Sequence, residues 1–165
     1  MIKSKEYYDN LKKFKKAEIE TIKNKIFVDK NIIIPEDNFS PFDFIYEDKK
    51  CIVELKNRNF TSEFFDNKYE GEMLLEKQKA SRLLNLVKKG GKYEGYLACY
   101  MYYFTDNVFQ YVILNYIDFN KMNEMGVNTP VNSCEVNAAR QTETCYKIPK
   151  ELLNSKNSVR RKLLV

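Results

Sequence analysis

A chain of 165 residues is about one domain long, and a composition of 44% apolar and 31% charged residues argues against wholesale disorder. No apolar run approaches the roughly 18 residues of a membrane span, and MIKSKEYYDNLKKFKK has no apolar signal core, so the expectation is a cytoplasmic, non-secreted protein. The net charge of +5 is modest but suits a polyanionic partner, while the complete absence of histidine excludes Ser-His-Asp and Cys-His catalysis, imidazole bases and the usual Cys/His zinc sites.

Residues 5–27 predict an amphipathic helix, with Tyr7, Tyr8, Leu11, Phe14, Ile19, Ile22 and Ile26 at three- and four-residue steps. A loop with Pro35 and Pro41 follows, in which Ile32 to Ile34 adds a short strand. Strands near 42–46 and 50–56 flank the polar turn EDKK. The polar stretch NRNFTSEFFDNKYEG reads as a loop leading into a second helix from about 72 to 88, stopped by Gly90 and Gly91. In that loop Phe64 and Phe65 read as core aromatics. Two strands, 93–104 and 108–117, surround the turn Thr105-Asp106-Asn107, and their tyrosines read as sheet and core residues. The stretch 119–143 lacks periodicity and reads as a surface wrap. TCYKI at 144–148 predicts a last edge strand ended by Pro149, and in the basic tail, about 150–165, KNSVRRKLLV (156–165) reads as a short helix. Cys51, Cys99, Cys134 and Cys145 form no CxxC pair and read as reduced thiols. The expected architecture is a single α/β domain over 1–165, with a central mixed sheet flanked by helices.

The segment FDFIYEDKKCIVELKNR places charges inside an apolar hairpin. A turn over Glu47 to Lys50 pairs Tyr46 with Cys51, Ile45 with Ile52, Phe44 with Val53 and Asp43 with Glu54. Strand alternation then puts Asp43, Glu54 and Lys56 at the end of one face, ahead of Ile45 and Ile52. Phe44, Cys51, Val53 and Leu55 share the other, expected core, face. Two close carboxylates repel and raise each other's pKa unless a cation lies between them. An oxygen-seeking divalent metal resolves that conflict, and a lysine beside it steadies phosphate or water, the parts that phosphodiester hydrolysis needs. The plain alternative is a surface hairpin with solvated cross-strand ion pairs.

Pro41-Phe42-Asp43 followed by Glu54-Leu55-Lys56 in an apolar strand resembles the PD-(D/E)XK nuclease superfamily. Its restriction-endonuclease-like core of helix, strand meander, helix and strand (αβββαβ) fits the order read above. Phe42 separates the proline from Asp43, a departure at a loose part of the pattern. The resemblance implies that Asp43 and Glu54 ligate Mg²⁺, with Mn²⁺ as a substitute, and that Lys56 positions or activates the attacking water. Members often add a glutamate from the first helix. Here Glu18 lies one turn from Phe14 and Ile22 on the apolar stripe, whereas Glu20 points away, so Glu18 is the candidate third ligand. From the second helix Lys77 or Lys79, and after the strand Arg58, are candidate phosphate contacts.

The expected function is therefore a Mg²⁺-dependent deoxyribonuclease, read as an endonuclease, with DNA favoured over RNA and a homodimer as a candidate assembly. The rivals are a non-catalytic nucleic-acid-binding protein on the same fold, and an interaction protein whose hairpin charges are ordinary surface pairs. Nucleotide-binding glycine motifs are missing from the sequence.

Overall fold

The computed structural model describes residues 5–26, 31–36, 40–130, 140–153 and 158–162. Helix α1 (Lys5–Thr21) continues as a π-helical turn, Ile22–Ile26, and is followed by strands β1 (Ile32–Ile33), β2 (Phe44–Tyr46) and β3 (Cys51–Asn57). Helix α2 (Ser62–Tyr69), strand β4 (Met73–Glu76) and helix α3 (Lys77–Val87) then carry the chain to β5 (Leu97–Tyr103) and β6 (Val108–Ile113). Strands β7 (Asn123–Pro130) and β8 (Arg140–Ile148), the short helix α4 (Lys150–Leu153) and β9 (Ser158–Lys162) complete it. Among the described residues no helix is long and apolar enough to cross a membrane.

The main sheet has six strands in the order β1-β2-β3-β5-β6-β9, and a second sheet has the order β4-β8-β7. Strands β3 and β5 pair in parallel while the others in the main sheet pair antiparallel, so the expected mixed sheet with flanking helices is present. A parallel pair needs a long crossover, and α2, β4 and α3 supply it. Both faces of the centre are buried. Ile45, Ile52, Tyr100 and Tyr102 join Ala80, Leu83 and Val87 of α3 and Met73 and Leu75 of β4 in the larger core. Phe44, Cys51, Val53, Leu55, Cys99, Met101 and Tyr103 form the smaller one. The division of the β3 side chains between faces is the expected one. The face carrying Glu54 holds the larger core, and the face expected to be core holds the smaller one.

Several elements differ from expectation. The polar stretch read as a loop contains α2. Thr61 caps it by accepting from the Phe64 N–H, and its fold-ward end is tied to the turn after β5. There the Asp106 carboxylate accepts from the Ser62 N–H at 3.1 and 3.2 Å and from the Ser62 hydroxyl at 2.7 Å. Burial pushes the Asp106 pKa up, but these bonds outweigh it and hold the carboxyl below its ordinary value. Asp106→Ala should therefore cost about 1–2 kcal/mol, read as a lowered thermal midpoint. An unchanged midpoint would show that the tie is idle. Phe65 is buried as expected, but Phe64 is exposed.

The residues 73–76 (MLLE), read as helix, form β4 because β8 offers them a ladder, Met73 with Ile148 through Glu76 with Cys145. The aperiodic stretch contains β7, and β8 is the middle of its sheet rather than a last edge strand. A short helix, α4, follows Pro149, and in the tail segment read as helix Ser158–Lys162 instead form a strand, β9, because the β6 edge offers them a ladder. The side chains of Arg160, Arg161 and Lys162 lie outside the described residues. Cys51, Cys99 and Cys145 are free and buried, while Cys134 lies outside the described residues.

Candidate active site

The β2–β3 hairpin has the register read from its turn length: Tyr46 with Cys51, Ile45 with Ile52, Phe44 with Val53. Glu47–Lys49 form a 3-10 turn, and Lys50 closes it with a left-handed φ of 46°. The ladder stops one rung before Asp43 meets Glu54. Asp43 instead donates its N–H to the Val53 carbonyl at 2.9 Å, and its Oδ2 accepts from the Leu55 N–H at 2.7 Å. The carboxylate thus fills an acceptor position that β2 has ceased to provide. It is 9% exposed, and its Oδ1 meets Lys15 Nζ at 3.3 Å.

Glu54 is more enclosed, at 4% exposure, and two ammonium groups converge on its Oε1: Lys56 at 3.2 Å and Lys79 at 2.9 Å. Lys79 comes from the first turn of α3, which the crossover lays over this face of the sheet. The parallel register sets Glu54 beside Tyr100 and Lys56 beside Tyr102. These rings are anchored in turn, since both hydroxyls donate to the Leu74 carbonyl of β4, at 3.1 and 3.0 Å.

Glu18 enters from α1, half-buried and sharing a helix face with Lys15 by its three-residue spacing. Burial is the main cause that pushes its pKa from 4.5 to about 7, with Asp43 and Glu54 adding repulsion against the pull of Lys15 and Lys56. Asp43 is raised by burial and by Glu54, and the Leu55 N–H and Lys15 counter part of that rise. At Lys56 burial works to lower the pKa. Glu54, Glu76 and Asp43 outweigh it and hold the ammonium above its ordinary value. Lys56 therefore stays charged at neutral pH, fit to attract an oxyanion or orient water but not to remove a proton.

The structure brings together five of the residues expected there: Asp43, Glu54, Lys56, Glu18 and Lys79. Of the two α3 lysines it selects Lys79. Lys77 is no contact of this site, because its ammonium pairs with exposed Glu124 of β7 at 2.6 Å. Phe14, expected on the same stripe as Glu18, is 52% exposed, so that stripe is not a continuous apolar seam around Glu18. Sequence reasoning missed Lys15, whose signal was its place one turn before Glu18. The helix expected over about 72–88 also took in Glu76, which instead closes β4 within electrostatic range of Lys56.

An all-oxygen donor set of this kind has the chemistry that suits a hard divalent cation. Among the described residues, though, no group of three or more Asp, Glu, Cys or His side chains stands at metal-holding spacing. Lysines balance the carboxylates, and Asp43 would have to release Lys15 to take up a metal. Comparison with protein-family models, curated proteins and solved structures gives no match. What the chain does has to be read from its own residues.

Proposed function

We propose that the protein is a Mg²⁺-dependent nuclease acting on DNA, of the PD-(D/E)XK kind, with Mn²⁺ as a substitute metal. The observation that carries this reading is the burial of Asp43 and Glu54 beside the ammonium of Lys56, with Glu18 half-buried within electrostatic range of them. Buried carboxylates this close together are costly to keep, Asp43 and Glu18 are both raised above their ordinary values, and such arrangements cluster where chemistry needs them. Asp43 and Glu54, joined by Glu18, would hold the metal, which supplies charge neutralisation and an activated water. Lys56 would hold the attacked phosphate or orient that water, and Lys79 would keep Glu54 in place. The modest positive charge would give mostly sequence-independent affinity for the phosphate backbone.

A second reading, a nucleic-acid-binding protein without turnover, is favoured by one observation: every lysine at the site already has a carboxylate partner. Cleavage of supercoiled, linear, single-stranded and branched DNA with Mg²⁺, Mn²⁺ or EDTA separates the two. The nuclease is expected to cut with either metal and to stop in EDTA. Folded protein that binds DNA equally well with or without EDTA, and never cuts it, would favour the binder.

A further inference from the structure

The Arg58 N–H donates to the Tyr103 carbonyl at 2.8 Å, so the β3 course continues to Arg58, and strand alternation sets it on the face of Glu54 and Lys56. Its guanidinium lies over the Tyr102 ring, 3.8 Å from the centroid. That ring is itself clamped, because the Tyr102 hydroxyl accepts from the Leu74 N–H at 3.1 Å and donates to the Leu74 carbonyl at 3.0 Å. The guanidinium is thereby held over a fixed aromatic platform, at a distance that suits the stacking open to arginine and not to lysine. The three lysines of the site each meet Asp43 or Glu54, and none of those ion pairs involves Arg58. Its Nε is buried and has no hydrogen-bond partner among the described residues. Arg58 is only partly buried, and its terminal guanidinium nitrogens have no hydrogen bond or ion pair among the described residues, which leaves them free for an acceptor from outside the chain.

We propose that Arg58 is an anion-binding residue that takes a backbone phosphate of a nucleic acid next to the phosphate at Lys56. Two residues of strand separate the two side chains by about 6–7 Å. The planar fork on Tyr102 offers paired N–H donors to phosphate oxygens. The proposal rests on the nucleic-acid reading above and adds to it a phosphate subsite and the residue that fills it.

The test is binding of a fluorescent DNA oligonucleotide in EDTA, across a series of salt concentrations, for wild type, Arg58→Ala and Arg58→Lys. Arg58→Ala should bind about tenfold more weakly and lose about one phosphate contact from the salt slope. Arg58→Lys should keep the slope and lose part of the affinity. In wild type, the Arg58 Nε–H resonance should shift as the oligonucleotide is added. A folded Ala variant with wild-type affinity and slope, or an Nε–H unmoved at saturation, would overturn the subsite. Arg58-dependent binding without metal-dependent cutting would keep it and remove the nuclease. Cutting with Arg58-independent binding would do the reverse, and no DNA binding at all would overturn both.

Discussion

Lys56→Ala is expected to lose at least about 100-fold in Mg²⁺-dependent DNA cleavage while remaining folded, the size that removal of one group stabilising transition-state charge commonly produces. Glu54 keeps Lys79 at 2.9 Å, so its buried carboxylate is not orphaned by loss of the 3.2 Å partner. The Lys56 side chain is 32% exposed, so its removal opens no sealed cavity. The thermal midpoint should then move little, and DNA affinity in EDTA should fall modestly. Because Lys56 is held charged, Lys56→Arg should retain more cleavage than Lys56→Gln. Cleavage by Lys56→Ala at the wild-type rate would remove this residue from the chemistry and with it the mechanism.

The second large effect is a pH dependence of stability without metal. Glu18 ionises at about 4.5 in the unfolded chain and at about 7 in the folded one, with burial as the main cause. Between those values the folded protein holds a proton that the unfolded chain has released. The Glu18 contribution is therefore fully present below about pH 4.5 and is lost as pH rises through about 7. Asp43, also raised, adds to the slope with the same sign. In EDTA, unfolding free energy from Glu18 should fall by up to about 3 kcal/mol from pH 4.5 to pH 8. Glu18→Gln should flatten most of that fall and be more stable than wild type at pH 8. Denaturant titrations at several pH values check this, and equal slopes in the two proteins would place Glu18 in water. Mg²⁺ held by these carboxylates should favour their ionised forms and suppress the slope.

Different parts of this protein were legible to different degrees. The β2–β3 register could be read because a strand has a strict two-residue period and the turn length sets the pairing. α1 and the inward choice of Glu18 over Glu20 followed from helical spacing. Helix α2 was not legible, because its sequence is polar and its start is held by Asp106, which lies 44 positions along the chain. Strand β4 was hidden by its neighbour. MLLE merges into the helical pattern of α3, and only a ladder to β8, far along the chain, from Met73 with Ile148 to Glu76 with Cys145, makes it extended.

The site divides along the same line. The sequence by itself determined that Asp43, Glu54 and Lys56 share the end of one sheet face, and that any chemistry here runs without imidazole. Those are consequences of local period and composition, which need no long-range contact. Only the tertiary structure decided that Lys79 rather than Lys77 reaches Glu54, and that Lys15 balances Asp43. It alone decided that the Arg58 guanidinium lies over the Tyr102 ring. Each of these depends on how α1, α3 and β5 pack against β3, and charge pairing between elements carries no periodic trace in the chain.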